Sequence, residues 1–338
     1  MPTVVFMFPS QSSRYPGMIR KIAALRPEVA GVLREASEIL GEDLEERYLG
    51  DDPDPFREKR DQRLGLFLVN LMYQRALESA GVEARYSLGF SLGEYNHLMH
   101  IGALTLEEAL RILVRPSPPD LPDPQGERAV VYRIRLKPLL EVVERAKELG
   151  VVELGGMLSP HIHYIVGDAE PVRWACARLK EELPESRSLY MPVKLPLHSS
   201  LMRPIAERLG QYLSGRDLRV PRLPYLPNAT GKLVHQPDKA ALVDLMERHL
   251  YQAVHWRQSI DNLIRRHRNA VFVEVGPRRA LCAYFYLEKK WHPDTRYFIT
   301  DNMDDHTDEH LAKVVAEAGP RRHVSFASES VSRLRFGT

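Results

Sequence analysis

Residues 85–93 read RYSLGFSLG, and this stretch decides the fold class. Its first part is short and apolar, which predicts a buried strand, and the residues after it have the apolar spacing of a helix. Gly89 and Gly93 flank Ser91 in the pattern G-x-S-x-G, in which small residues permit a sharp turn from strand to helix. A chance Gly/Ser turn is the alternative, but the strand and the helix on either side favour Ser91 as a nucleophile.

The segments before this turn repeat the same order of elements. Residues 3–8 predict a buried strand, 18–40 a helix that ends at Gly41, and 61–80 a long buried helix that ends at Gly81. The order strand, helix, strand, turn and helix is typical of an α/β fold with a mostly parallel sheet.

A proline-rich segment interrupts this pattern. Residues 116–126 contain five prolines, which exclude a helix or a central strand and mark a boundary. Beyond it we predict strands at 128–136, 151–158, 161–167 and 187–195, helices at 137–149, 169–183, 199–213 and 238–265, and a strand at 270–275. Taken in chain order, the six elements from 128 to 195 have the order βαββαβ, which is that of a ferredoxin-like unit.

The chain therefore divides into two predicted domains. A large α/β-hydrolase-like domain with a mostly parallel sheet is formed by residues 1–126 and 196–318. A ferredoxin-like subdomain occupies 127–195, and a basic, Ser-rich tail occupies 319–338. A length of 338 residues and a hydrophobic share of 44% are sufficient for packed cores of this size.

Composition excludes several classes of protein. The net charge of +2 does not suggest a nucleic-acid-binding protein, and two cysteines, Cys176 and Cys282, form neither a disulfide framework nor a metal knuckle. No apolar run is long enough to span a bilayer, and Met1–Met7 lacks the features of a signal peptide. We expect a cytoplasmic protein that binds neither nucleic acid nor membrane.

A nucleophilic serine requires a base, and the chain has 13 histidines. His198 stands between a predicted strand and a predicted helix, where open α/β sheets place their chemistry; a capping or surface histidine is the alternative there. His97 and His100 are three residues apart on the helix after Ser91. Without a third ligand nearby in the sequence we expect them to pack, and we predict no metal site.

Several segments together carry a resemblance to one family. They are FPSQSSRYPGM at 8–18, GFSLGEY at 89–95, PLHSSLM at 196–202, NATG at 228–231, HLYQAVHW at 249–256 and FVEVGP at 272–277. In this order they resemble the malonyl-CoA:acyl-carrier-protein transacylase family, which includes the acyltransferases of fatty-acid and polyketide synthases.

The resemblance implies a ping-pong acyl transfer through a serine ester. Ser91 would attack an acyl thioester, and His198 would take its proton and later activate the incoming phosphopantetheine thiol. The backbone carbonyl of His249 would hold the second imidazole nitrogen, and the N–H groups of Gln11 and Leu92 would form the oxyanion hole. The substrates would be thioesters of CoA or of an acyl carrier protein, with no bound cofactor.

The departures from the family pattern concern the acyl pocket. Members that take malonyl groups carry an arginine on a helix after the nucleophile, which binds the free carboxylate. Here Pro116 stands at that position, and Arg115 is one residue early, which rotates a helical side chain by about 100°. We therefore expect an acyl group without a free carboxylate; drift in a wall facing the core is the alternative. The predicted acyl-pocket residues are Phe90, Arg115, Pro116, Met157, Leu195 and Leu197.

Two further departures lie in the predicted oxyanion loop. Ser10 and Ser12 replace family glycines. If those positions had positive φ, each serine would cost about 1 kcal/mol, which would weaken the oxyanion hole.

Three activities and one non-catalytic role stay open. The first is a stand-alone acyltransferase that delivers acyl groups to an acyl carrier protein, in polyketide or related assembly. The second is an acyl-carrier-protein acyl hydrolase of the same fold, and the third is a malonyl transacylase. A weak carrier-binding module is disfavoured because Ser91 and His198 are both present. Carrier proteins are acidic, so we expect them to dock on clustered arginines, and we expect a monomer.

Overall fold

The structure is a computed structural model that describes residues 2–121, 123–191 and 194–319. Its strands are β1 (Thr3–Phe8), β2 (Tyr86–Gly89), β3 (Glu127–Tyr132), β4 (Val152–Met157), β5 (Ile162–Gly167), β6 (Arg187–Tyr190), β7 (Ala270–Glu274) and β8 (Arg296–Ile299). Its α-helices are α1 (Met18–Leu25), α2 (Gly31–Leu40), α3 (Leu44–Leu49), α4 (Lys59–Ser79), α5 (Gly93–His100), α6 (Leu106–Val114), α7 (Leu136–Ala146), α8 (Ala169–Glu182), α9 (Arg203–Ser214), α10 (Lys239–Tyr251), α11 (Trp256–Arg266), α12 (Cys282–Leu287) and α13 (Thr307–Ala318).

The larger body is built on a four-stranded sheet in the order β2-β1-β7-β8, with every pairing parallel. Side chains of β1 alternate between two hydrophobic clusters, Phe6 and Phe8 on one face and Val5 and Met7 on the other. Because both faces are buried, the strand is apolar throughout, as expected for a parallel sheet. The predicted α/β fold with a mostly parallel sheet is confirmed.

A second, antiparallel sheet has the order β4-β5-β3-β6. Its elements follow one another as β3, α7, β4, β5, α8 and β6, which is the βαββαβ order predicted from the sequence. Ala129 and Val131 face a cluster shared with α7 and α8, whereas Tyr132 and Tyr164 face the cluster on the parallel sheet. The antiparallel sheet thus covers one face of the larger body, while the domain boundaries at 126/127 and 195/196 stay a prediction.

Two predicted helices are each divided in the structure. The helix expected over 18–40 breaks at Arg26, which has φ −136° and ψ 75°, because the residue before Pro27 avoids the helical region. The helix expected over 238–265 breaks between α10 and α11. There Val254 adds to the edge of β4, with its N–H 2.8 Å from the Gly155 carbonyl.

Other elements differ in extent or were not predicted. The strand expected over 187–195 extends only from Arg187 to Tyr190, and the one expected over 128–136 ends at Tyr132. Elements β8, α12 and α13 were not predicted. The basic tail lies outside the described residues from 320 onward. In the described ranges no helix is long and apolar enough to cross a membrane.

Candidate active site

The turn at Ser91 is held by close backbone approaches. A Cβ atom on Gly89 would clash with the backbone of Gly93 and Glu94, and one on Gly93 would clash with the Phe8 carbonyl. Ser91 itself has a φ of 52°, a left-handed conformation that costs a non-glycine residue about 1–2 kcal/mol. The two glycines of the motif are therefore required by space, and the turn presents Ser91 at the carboxyl end of β2.

Ser91 and His198 form a hydrogen-bonded pair. Ser91 Oγ lies 2.9 Å from His198 Nε2, and His198 Nδ1 lies 2.9 Å from the His249 carbonyl oxygen. A carbonyl oxygen can only accept, so Nδ1 carries the proton and Nε2 is left to accept from the serine hydroxyl. His198 also has a positive φ, 71°, so both members of the pair are held in left-handed conformations. The geometry supports His198 as the base and the His249 carbonyl as the group that orients it.

The surroundings of His198 keep its imidazole neutral. Its exposure is 1%, and this burial is the largest cause that lowers its pKa well below the usual value. Electrostatic effects of His249 and Arg128 lower the pKa further. A neutral imidazole is the form that can accept a proton from serine.

Asn228 fixes the nucleophile turn from the other side. The Ser91 N–H donates to Asn228 Oδ1 at 2.8 Å, and Asn228 Nδ2 donates to the Gly89 carbonyl at 2.5 Å. One buried amide therefore bridges the residues before and at the nucleophile. The sequence analysis includes Asn228 in the NATG motif at 228–231 but assigns it no role.

Glu94 contacts residues on both sides of the Ser91–His198 pair, and the sequence analysis assigns it no role. Its carboxylate accepts from the Asn228 N–H at 3.1 Å and from the Tyr225 hydroxyl. Its Oε2 atom also lies 2.8 Å from His249 Nδ1, without the alignment of a hydrogen bond. Glu94 is 1% exposed. It therefore connects the residue that holds the Ser91 turn to the residue that orients His198.

The predicted oxyanion donors lie on the two segments that meet at the turn. Leu92 is the N-cap of α5, with φ −51°, and at a helix N-terminus free N–H groups and the helix dipole favour negative charge. Gln11 begins a short 3-10 turn, and Ser10 before it has φ −105°. Ser12 is also absent from the positive-φ residues of the described chain. The predicted condition for strain at Ser10 and Ser12 is therefore not met.

The six predicted acyl-pocket residues have different surroundings in the structure. The Phe90 ring contacts Trp256 edge-on with centroids 5.5 Å apart, and Met157 donates its N–H to Val254 at 2.9 Å. By contrast, the Arg115 guanidinium lies 4.9 Å from the centre of the Tyr212 ring on α9. The remaining three are Leu195 and Leu197, both half-buried just before the base, and Pro116, which is exposed.

His97 and His100 pack as expected. The Nδ1 atoms of both rings lie within hydrogen-bond distance of Ser87 Oγ, at 2.7 and 2.9 Å. Burial lowers the pKa of His97 well below its usual value and that of His100 to about 4. In the part of the chain that the structure describes, no group of His, Cys, Asp or Glu could hold a metal ion.

The parallel sheet, the strained turn and the buried serine–histidine pair are features of an α/β enzyme with a serine nucleophile. The acyl transferase domain model matches residues 5–287, and the chain belongs to this family. The resemblance inferred from the motifs is thereby confirmed.

Relatives of known function cover most of the chain. A malonyl CoA-acyl carrier protein transacylase of Bacillus subtilis (strain 168) is 26% identical over 285 residues, or 83% of this chain and 89% of that protein. The polyketide synthase GfsB of Streptomyces halstedii is 27% identical over 286 residues, or 83% of this chain and 5% of that protein. The crystal structure of an acyl-carrier-protein S-malonyltransferase from Burkholderia pseudomallei 1710b gives a TM-score of 0.80 at 26% identity, covering 92% of this chain and 99% of that one.

Proposed function

We propose that the protein moves an acyl group from a CoA or carrier-protein thioester to an acyl carrier protein through an acyl-Ser91 ester. The observation that carries this proposal is the 2.9 Å contact between Ser91 Oγ and His198 Nε2, with Nδ1 held by the His249 carbonyl. An activated serine beside a neutral, oriented base is the arrangement that nucleophilic acyl transfer requires.

Each half-reaction uses the same groups. Ser91 Oγ attacks the thioester carbonyl while His198 Nε2 takes the hydroxyl proton; the C–S bond then breaks, and the proton passes to the departing thiolate. In the second half the pantetheine thiol of the acceptor gives its proton to Nε2 and attacks the ester carbonyl, and Ser91 leaves with that proton. The N–H groups of Gln11 and Leu92 are the proposed donors to the oxyanion, a role for which each donor contributes about 3 kcal/mol.

The relatives support an acyl carrier protein as the acceptor. The Bacillus subtilis protein is named for transfer to acyl carrier protein, and the GfsB match supports a role in polyketide assembly. We carry both features over as part of the proposal, together with a monomeric state and a cytoplasmic location.

The remaining question is whether the acyl group carries a free carboxylate. The sequence places proline where the family has its carboxylate-binding arginine, and the structure has Arg115 stacked on Tyr212. This supports the premise that α6 supplies no carboxylate clamp. The prediction of an acyl group without a free carboxylate requires in addition that no other cation reaches the pocket.

Intact-mass spectrometry tests the proposal. The wild-type protein and the Ser91→Ala variant are incubated with acyl-CoA thioesters, with and without a holo acyl carrier protein. We expect one acyl mass on the wild type, none on the variant, and transfer of that mass to the carrier when it is added. Loss of the acyl mass to water before the carrier is added would instead establish the hydrolase, and no acylation by any thioester would overturn both.

A further inference from the structure

The two proposed oxyanion donors stand on segments that are far apart in the chain. Gln11 begins the short turn after β1, and Leu92 is the N-cap of α5. An oxyanion hole stabilises the developing charge only when its donors are held at hydrogen-bond distance from one oxygen atom before the reaction begins. The spacing of the two segments therefore has to be fixed by groups outside them.

Asn70, on the long helix α4, contacts both segments through one amide nitrogen. Its Nδ2 atom donates to the Pro9 carbonyl at 3.3 Å and to Asn96 Oδ1 at 3.0 Å. Pro9 precedes Gln11 by two residues, and Asn96 lies in the first turn of α5. One side chain thus links the segment before the first donor to the helix that follows the second donor.

The orientation of this amide is determined by its acceptors. The Pro9 carbonyl can only accept, so the nitrogen of Asn70 faces it. Asn96 Nδ2 in turn donates to the Phe67 carbonyl at 2.9 Å, which leaves Asn96 Oδ1 to accept from Asn70. Both asparagines have an exposure of 0%, so water does not compete for these hydrogen bonds.

The backbone around Pro9 and Asn70 is closely packed. A Cβ atom on Gly276, which has a φ of 147°, would clash with Asn70 Oδ1 and with the Pro9 ring. A Cβ atom on Gly93 would lie 2.8 Å from the Pro9 carbonyl oxygen. Pro9 is therefore enclosed by α4, α5 and the loop after β7, and a displacement of its carbonyl would move the turn that begins at Gln11.

Stability alone is a weak reason for an amide at position 70. The Oδ1 atom of Asn70 is buried, and no described residue hydrogen-bonds to it. An unpaired buried oxygen is unfavourable, so it offsets part of the stability that the two bonds of Nδ2 contribute. What the amide provides, and an apolar side chain could not, is a directed bond to the Pro9 carbonyl.

We propose that Asn70 is a positioning residue for the oxyanion hole. By holding the Pro9 carbonyl against α5, it sets the distance between the N–H groups of Gln11 and Leu92. Asn70 acts through the loop and not by contact with the substrate, since its hydrogen bonds go to Pro9 and Asn96. The inference rests on the proposed acyl transfer and adds to it the residue that fixes the spacing of the two donors.

The test separates binding of the tetrahedral state from binding of the ground state. Trifluoroacetonyl-CoA carries a ketone to which Ser91 Oγ can add; the hydroxyl proton passes to His198 Nε2, and the carbonyl oxygen becomes an oxyanion without loss of a leaving group. Propyl-CoA has the same length but no carbonyl. In Asn70→Leu we expect the Ki of the ketone to rise by about 10-fold or more, and the Kd of propyl-CoA to change by less than about two-fold. The kcat/KM for acylation by acetyl-CoA should fall by the same factor as the Ki of the ketone rises.

Gln74→Met is the matched control. Gln74 is a buried amide on the same helix, donates to Glu78 at 2.9 Å and also has a buried oxygen without a partner among the described residues. We expect it to change neither the Ki nor the Kd, even where it lowers the unfolding temperature as much as Asn70→Leu does. Asn70→Ser, whose hydroxyl is too short to reach Pro9, repeats the test if Asn70→Leu does not fold.

The outcomes separate the positioning role from the acyl transfer. An unchanged Ki in the Asn70 variants, or equal changes in the Ki and the Kd, would overturn the role of Asn70 and leave the acyl transfer intact. The same rise in the Ki in Gln74→Met would show a general effect of α4 and would also overturn that role. No capture of the ketone and no acylation of the wild type by any thioester would instead overturn the proposed function.

Discussion

The catalytic side and the acyl side of this site are built in different ways. On the catalytic side, the Ser91 N–H is bonded to Asn228 and His198 Nδ1 is bonded to the His249 carbonyl. On the proposed acyl side, where Tyr164 of the antiparallel sheet faces His198, Arg128 Nε and the Tyr164 hydroxyl are buried without hydrogen-bond partners in the described chain. The protein itself thus orients the groups proposed for the chemistry, whereas two polar atoms on the other side are satisfied by no described residue.

The largest effect is expected on the catalytic side. His198→Ala should lower the rate of Ser91 acylation by about 10³-fold, within the range for loss of a general base, and Ser91→Ala should abolish it. Quenched-flow mass spectrometry with an acyl-CoA measures the acylation rate of both variants. Thermal unfolding serves as the control, and a His198→Ala protein acylated as fast as the wild type would remove His198 from the mechanism.

A smaller effect is expected one layer behind the pair. Glu94→Gln should slow acylation by about 10- to 100-fold, because hydrogen bonds to a charged group contribute about 1.5–3 kcal/mol and this carboxylate contacts Asn228, Tyr225 and His249. Steady-state kcat/KM measures it.

Tyr225→Phe is the matched control for that variant. It removes one donor to Glu94 and leaves the carboxylate beside His249, so we expect it to lose less activity than Glu94→Gln. Equal losses in the two variants would show that the hydroxyl alone matters, and wild-type activity in Glu94→Gln would exclude a positioning role.

The sequence predicted the catalytic side well because that side is encoded locally. The five residues from Gly89 to Gly93 specify a turn by their size alone, and the structure shows both glycines pressed against backbone. The contacts of Glu94 and Asn228 were missed because they join residues 134 apart in the chain. The signal in the sequence that could have found Glu94 is an acidic residue directly after the turn, at the start of a helix expected to pack against the sheet.

The acyl side was predicted less well for a related reason. Alignment to the family examined position 116, whereas the cation that approaches His198 comes from β3. Which face of a strand a side chain occupies depends on register, and register was not fixed until β3 could be paired with β5. The alternation of residues 127–132 was visible, but not the direction in which Arg128 pointed.

The fold shows the same division between local and distant information. Apolar periodicity predicted the parallel sheet and the βαββαβ order, since each strand and helix carries its own pattern. Periodicity did not predict the breaks at Arg26 and Val254. The first helix ends because of Pro27 and the second because Val254 pairs with the edge of β4, and neither cause changes the apolar spacing. The short elements β8 and α12 have too few residues to show a period.

Arg128 on one side of the site lowers the pKa of His198 on the other, and this effect gives a third prediction. The base acts in its neutral form, so activity falls when the pH drops through its pKa, and burial holds that pKa well below 6.5. The acid limb of kcat/KM for acetyl-CoA should therefore lie below pH 6.5. Arg128→Met removes a nearby positive charge, which favours the imidazolium, and should move the limb to higher pH.

The control for this shift is Arg173→Met, which removes an exposed cation already paired with Glu127. We expect its acid limb to coincide with that of the wild type. A limb that stays in place in Arg128→Met would show that the guanidinium is screened from the base.

The smallest effect is expected at Arg115, the arginine nearest in sequence to the family's clamp position. Its guanidinium is stacked on Tyr212, and an exposed contact of this kind contributes about 0.5–1 kcal/mol. Arg115→Gln should therefore lower the unfolding temperature slightly and change kcat/KM for malonyl-CoA by less than about two-fold. A loss in Arg115→Gln that is specific to malonyl-CoA, with none for acetyl-CoA, would place a carboxylate-binding group at the end of α6 and contradict the expectation drawn from Pro116.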